Sequence, residues 1–329
     1  MKQMMINMGI SLMMGMVLPH MLLSWGIATQ EEYTNGELPT IPIKIEESAP
    51  ETVSLPVCLT DDAGTVRNLD MDTYLTGVLL AEMPSSFSLE ALKAQSVVAR
   101  TYARKAYITG GKHQNGSVCT DPGCCQGYLL EEIYLAEGGN TAAVERICAA
   151  ISETSGQVLT YDQELIEATY FSCSGGRTEA AVAVWGTDFP YLKSVESPGE
   201  EQALHYTDTA VFTPEEFASL LQISPEGEPA GWIGDAVYTE GGSVRSMLIG
   251  GKNFTGIQLR NILGLRSAAF SIAAQKDEIV ITTKGYGHRV GMSQYGAEAM
   301  ASQGASYEEI LKHYYQGAEI TRLREEIYG

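Results

Sequence analysis

The stretch YLTGVLLAEMPSSFSLEALKAQSVVARTYARKAYIT, residues 74–109, decides the fold, because it reads as two helices joined by a tight corner. Asp70 caps the first helix. Pro84, with the conformationally restricted Met83 before it, ends it, and Tyr74, Val78 and Glu82 fall on one line at a spacing of four. Ser88 caps the second, longer helix, and Gly110-Gly111 closes it. Upstream, Val53 to Leu59 and Thr65 to Leu69 read as short strands around an Asp61-Asp62-Ala63-Gly64 turn. Downstream, Asn140 caps a third helix through about Glu153, stopped by Gly156. Strands then dominate in QVLTYD, LIEATYFSCS, AAVAVWG, VRSMLIG and EIVITTKGYG. Short helices open at Thr213 and Thr255, and two more, from Ser293 and Ser306, close the chain. Without a regular βαβ rhythm, the order predicts an α+β fold of mixed helices and strands.

The 329 residues are 44 % hydrophobic with 34 Gly and 12 Pro, a globular mixture that excludes disordered, collagen-like and coiled-coil classes. A net charge of −20 disfavours nucleic acid and anionic membrane surfaces as partners. No charged residue lies between Lys2 and Glu31, and the 21 mostly apolar residues 8–28 match the roughly 30 Å hydrocarbon core as a helix. The segment reads as a membrane anchor, with a cleaved signal peptide as the alternative. Residues 1–7 are then expected in the cytoplasm, 29–50 as an acidic, Pro-containing spacer, and 51–329 as an extracytoplasmic domain, in a single-pass membrane protein.

Glu82 stands out on physical grounds. In the last turn of its helix the carboxylate faces the negative end of the dipole, which raises its pKa, and a general acid at neutral pH needs that shift. A Glu at a helix end is otherwise an ordinary solvated group. Glu90, in the first turn of the next helix, is structural by the same dipole argument. Lys93, Arg100 and Arg104 make a basic stripe that is ordinarily a solvated face. His113, Cys119, Cys124 and Cys125 place four soft or borderline ligands within thirteen residues, suited to a structural zinc ion or, alternatively, to a disulfide from Cys119 to Cys124 or Cys125. Near the end, KGYGHRVGMSQYGAEAM gathers Gly285, Gly287 and Gly291 around His288, with Ser293, Gln294 and Tyr295 as polar and aromatic handles. The turn FSCSGGRTEA brings together Ser172, Ser174, Gly175, Gly176 and Glu179.

Taken in order, YLTGVLLAEMPSSFSLEALKAQSVVARTYA, YFSCSGGRTE, PYLKSVESPGE and GYGHRVGMSQYGAEAMA resemble the stage II sporulation protein D family over about residues 51–323. The resemblance implies a two-lobed α+β domain with a glycan-binding cleft. It implies a lytic transglycosylase that cuts peptidoglycan strands stripped of stem peptides, between N-acetylmuramic acid and N-acetylglucosamine, and leaves 1,6-anhydro ends during forespore engulfment. The family's catalytic Glu falls on Glu82. Glycan contacts are expected from Gln95 and Arg100 on the long helix, from Ser174 and Glu179, and from His288, Ser293, Gln294 and Tyr295. Clostridial relatives bind zinc through two His and two Cys. Here His113, Cys119 and Cys125 match three of those positions and Cys124 replaces a His, which implies one structural zinc per chain. Arg289 stands where the family often has the second Gly of Gly-His-Gly. The implied partners are stage II sporulation protein P, an amidase, and stage II sporulation protein M, a membrane protein. Related amidase enhancers, which stimulate a partner without cutting glycan, give the alternative function.

Overall fold

A computed structural model describes residues 54–59, 65–113 and 118–323. The expected cytoplasmic segment 1–7, anchor 8–28 and spacer 29–50 lie outside the described residues. Among the described residues no helix is long and apolar enough to cross a membrane. The longest, Leu89–Thr109, carries Glu90, Lys93, Arg100, Arg104 and Lys105, charges that a bilayer core excludes. On that finding the expectation of a single-pass membrane location is corrected.

The described chain is α+β. Strands β1 (Ser54–Leu59) and β2 (Thr65–Asp70) form an antiparallel pair. The latter runs directly into α1 (Met71–Glu82), whose N-terminus is capped by Asp70 Oδ1 accepting from Thr73 N at 2.9 Å. Helix α2 (Leu89–Thr109) follows the Pro84 corner and ends at Gly110, left-handed at φ 78°. Ser88 sits at its cap position but does not cap it. Its N–H and hydroxyl donate instead to the Glu298 carboxylate, at 2.6 and 3.1 Å, which ties the corner to the C-terminal part of the chain. A two-residue strand β3 (Val118–Cys119) adds parallel to β1, and α3 (Glu131–Ala136) and α4 (Thr141–Glu153) lead on to β4 (Gln157–Tyr161), β5 (Glu164–Leu165) and β6 (Tyr170–Phe171). Asn140 caps α4 through Ala143 N at 2.8 Å.

The segment AAVAVWG departs from its expected strand and forms helix α5 (Ala181–Trp185), stopped by left-handed Gly186. Four alternating Ala and Val residues before Trp185 satisfy either periodicity, so the glycine stop and the packing of Ala181 decide. Next come β7 (Thr207–Phe212), α6 (Pro214–Leu221), β8 (Ile233–Tyr238), β9 (Val244–Ile249), β10 (Lys252–Phe254), α7 (Gly256–Leu263), β11 (Phe270–Ala274) and β12 (Ile279–Lys284). These form two three-stranded sheets, ordered β11-β12-β7 and β10-β9-β8, over a core of Phe217, Leu221, Met247, Ile249, Leu259 and Ile281. Capping boxes at Thr213 and Thr255 start both helices of this core.

The chain then returns to the first core through β13 (Met292–Ser293), which pairs parallel with β6, and through α8 (Gln294–Ser302), α9 (Tyr307–Tyr314) and β14 (Glu319–Arg322). That core joins Leu75, Val78 and Leu79 of α1, Leu92 and Val98 of α2, Ile147 of α4 and Ile310 of α9. Each such fully buried aliphatic contributes about 1.5–3 kcal/mol. The result fixes the end of α1, and with it Glu82, against β6 and the start of α8.

Candidate active site

Glu82 is the last residue of α1. The segment that meets it follows the cysteine loop directly: Gly127 N–H donates to Glu82 Oε1 at 2.6 Å, and Leu129 N–H donates to the carbonyl of Gly77 on the same helix. A Cβ at 127 would fall 2.9 Å from Glu82 Oε1, so any side chain there would push the carboxyl out of its place. The Tyr170 hydroxyl, from β6, and the Gln294 amide, opening α8, also bear on the carboxyl. Burial pushes the Glu82 pKa up, and the hydrogen bond from Gly127, with the nearby Tyr170 hydroxyl and Gln294 amide, offsets only part of that. Among the described residues no cation contributes. Gln294 is almost wholly buried, and its Nε2 makes no formed hydrogen bond.

Behind the carboxyl lies a chain of neutral groups. Tyr74 O–H donates to Gln126 Oε1 at 3.0 Å, and Gln126 Nε2 donates to the Tyr170 hydroxyl at 3.2 Å. Tyr74 stacks on Tyr128 with ring centroids 5.9 Å apart. Three of these groups, Gln126, Gly127 and Tyr170, have no place in the sequence-based site. The line Tyr74-Val78-Glu82 and the run CCQGY after the cysteines were the available signals.

The cysteine loop converges as its spacing suggested. The Nε2 of His113 lies 3.5 Å from Cys124 Sγ and 3.3 Å from Cys125 Sγ, and one ligand atom from each of His113, Cys119, Cys124 and Cys125 lies within 4.8 Å of every other. A tetrahedral ion with bonds of about 2.0–2.3 Å needs ligand atoms roughly 3.3–3.8 Å apart, so three sulfurs and an imidazole nitrogen at this separation fit. Among the described residues no disulfide joins any of the cysteines. Burial and the neighbouring Cys125 push the Cys119 thiol up to about 12, a bias that a divalent cation reverses. The cluster can hold a metal ion.

The other expected site residues divide. Gln294 meets Glu82, whereas Ser293 is the cap of α8, its Oγ accepting from Gly296 N, and Tyr295 packs edge-on against Phe87 at 5.1 Å. His288 lies against the backbone of Tyr170, between the rings of Phe171 and Trp185, and its Nδ1 accepts from Val290 N. Burial, followed by the charge of Arg260, lowers its pKa to about 4, so the imidazole is neutral. Arg100 is fully buried on the far side of α2, donating to the carbonyls of Ile151, Thr154 and Gln157. Gln95 is fully buried too, and neither end of its amide finds a hydrogen bond among the described residues.

Ser174 and Glu179 belong to a separate buried network. Ser174 donates through both N–H and Oγ to Glu200 Oε2, at 2.8 Å each, and Gly175 N–H adds a third donor at 3.0 Å. Glu179 Oε1 accepts from Thr239, from the N–H of Ser243 and from Arg289. Arg289 is left-handed at φ 67°, a conformation that costs on the order of 1–3 kcal/mol in a non-glycine residue. Its guanidinium offsets this by donating to Ser174 O, Arg177 O, Gly241 O and Ser243 Oγ as well as to Glu179. Arg289 therefore pins the turn between β8 and β9 onto the 174–179 turn.

The profile of the family described as Stage II sporulation protein matches residues 60–161. Stage II sporulation protein D of Bacillus amyloliquefaciens is 40 % identical over 293 residues, covering 88 % of this chain and 82 % of that protein. The Bacillus subtilis (strain 168) protein of the same name is 38 % identical over 274 residues, covering 82 % and 79 %. An amidase enhancer of Bacillus subtilis (strain 168) is 31 % identical over 300 residues, which is 75 % of this chain but 40 % of that protein. On the extent and identity of these matches, the chain belongs to the stage II sporulation protein D family.

Proposed function

We propose that residues 51–329 form a lytic transglycosylase that acts on peptide-stripped peptidoglycan during sporulation, cutting the β-1,4 bond between N-acetylmuramic acid and N-acetylglucosamine. The observation that carries the reading is the setting of Glu82: a carboxyl whose pKa burial raises, touched by neutral donors and, among the described residues, by no cation. Such a group is protonated when an ordinary Glu is not. It can give its proton to the glycosidic oxygen as the bond to the anomeric carbon breaks, then as carboxylate take the proton of the sugar's 6-hydroxyl while that oxygen closes on the anomeric carbon. One carboxyl serves both steps, so no second carboxylate or enzyme nucleophile is required. In this reading the glycan occupies a cleft that reaches Glu82, with Gln294 Nε2 as a donor to it.

In the same proposal His113, Cys119, Cys124 and Cys125 hold one zinc ion, which supplies structure by closing the loop that presents Gly127 to Glu82. Stage II sporulation proteins P and M are the proposed partners. A second reading, an amidase enhancer, rests on the similarity to a protein of that name. The purified full chain incubated with denuded glycan strands should release anhydro-muramic products detectable by mass spectrometry. Products absent from wild type, with stimulation of an added amidase that survives Glu82→Gln, would instead establish the enhancer.

A further inference from the structure

The hydrogen bonds behind Glu82 have a direction, and donor and acceptor inventories set it. The Tyr170 hydroxyl bears on the Glu82 carboxyl, and since a carboxylate cannot donate, the hydroxyl is the donor of that pair. The Tyr170 oxygen is then left to accept, and Gln126 Nε2 fills that role at 3.2 Å. With its nitrogen so placed, the Gln126 amide turns its Oε1 toward Tyr74, whose hydroxyl donates to it at 3.0 Å. Gln126 is almost wholly buried and Tyr74 fully so, so neither can exchange its partner for water.

We propose that Gln126, locked by Tyr74, is a positioning residue that keeps the Tyr170 hydroxyl from accepting the proton of Glu82, so that the acid proton is left for the glycosidic oxygen. The inference rests on the reading of Glu82 as general acid. Were the amide reversed, Tyr170 would donate to Gln126 and its oxygen would accept from protonated Glu82. The acid would then be held in an unproductive hydrogen bond. The titratable groups facing Glu82 are Tyr170 and Tyr74, both kept neutral by burial; beyond Tyr74 lies Cys125, and no lysine, arginine, histidine or second carboxylate bears on the Glu82 carboxyl among the described residues.

The test is a double-mutant cycle on the full chain, read as kcat against pH on denuded glycan. Tyr74→Phe frees the amide to reverse. The kcat plateau is expected to fall about tenfold with KM unchanged, and the alkaline limb to move upward by about one pH unit, because the reversed relay favours protonated Glu82 while tying up its proton. In a Tyr170→Phe background there is no hydroxyl left to trap the proton, so adding Tyr74→Phe should change neither plateau nor limb. Additive losses from Tyr74→Phe and Tyr170→Phe, or a lower plateau with an unmoved limb, would overturn the relay and leave Tyr74 a packing residue.

An infrared titration separates this inference from the activity itself. The protonated-carboxyl band of Glu82, identified by its loss in Glu82→Gln, should shift to lower frequency in Tyr74→Phe and return in the double variant. If wild type proves inactive on glycan, the general-acid reading fails and this band alone decides the relay: a shift sustains it and an unmoved band ends it.

Discussion

Glu82 and Glu179 are both drawn out of water, and the chain treats them in opposite ways. Around Glu179 it places the guanidinium of Arg289, the hydroxyl of Thr239 and the N–H of Ser243. Around Glu82 it places one backbone N–H, a phenol and an amide. A buried carboxylate with a cation beside it serves as a strut: here it fastens the β8–β9 turn, built on the second core, to the 174–179 turn of the first. A buried carboxyl left without one is biased toward its acid form. Burial alone does not make a catalytic acid. What distinguishes the two sites is the missing counter-charge.

The largest expected effect breaks the first site without touching the second. Glu82→Gln keeps the shape and the bond from Gly127 but cannot cycle a proton, so cleavage of denuded glycan should fall by at least about 10²–10⁴-fold while the folded structure persists. Turnover within a few-fold of wild type would remove Glu82 from the chemistry.

Next comes the strut. Arg289→Met leaves Glu179 buried without a cation and should cost about 3–5 kcal/mol of stability, read from the denaturant midpoint. Glu179→Gln should act in the same direction but more weakly, since Arg289 keeps its acceptors on Ser174, Arg177, Gly241 and Ser243. A loss under about 1 kcal/mol for Arg289→Met would mean that the two turns hold together by other contacts.

The cysteine cluster should fall between the two sites in its effects. Removing a bound metal with a chelator is expected to lower the melting temperature and to reduce activity only as the 126–129 segment loosens from Glu82. Cys119→Ser should lower metal content in parallel. Protein purified without chelator that carries no zinc, with its melting temperature unmoved by chelation, would exclude a metal from that cluster.

How much of this was legible in the sequence follows from how local each signal is. The α1–α2 hairpin is written in caps and stops, Asp70, Pro84 and Gly110, and it stands as expected. The cysteine cluster is equally local. Ser88 misled by half: it sits at the cap position, yet it bonds to Glu298, some two hundred residues away, which no local pattern shows. Arg100 looked like part of a solvated stripe and lies fully buried, because carbonyls at the end of α4 and the start of β4 receive it. AAVAVWG was too short for its periodicity to discriminate. Gln126, Gly127 and Tyr170 acquire their meaning only when β6 and the end of the cysteine loop meet at Glu82, a long-range event. Arg289 was visible as a departure from the family pattern, but its partnership with Glu179 was not.

The smallest expected effect is also the sharpest test of the comparison, because one type of substitution should carry opposite signs at the two sites. Burial raises the folded-state pKa of Glu82 above its unfolded value, so the group favours folding while protonated, below its unfolded pKa. That contribution is lost as pH rises through the folded pKa, because the native state must then ionise a carboxyl that the unfolded chain ionises more easily. Glu82→Gln removes this dependence. The variant should therefore gain on wild type across the window from the ordinary carboxyl range up to the raised value, and hold a constant advantage above it. The gain is expected within about 0.5–2 kcal/mol, the range usual when a functional group is traded for a neutral one. Glu179→Gln, measured in the same series of denaturation curves, should lose stability at every pH where its ion pair is formed. If Glu82→Gln instead destabilises at neutral pH as Glu179→Gln does, then Glu82 is held as a carboxylate by its donors. The contrast between acid and strut would collapse into two struts.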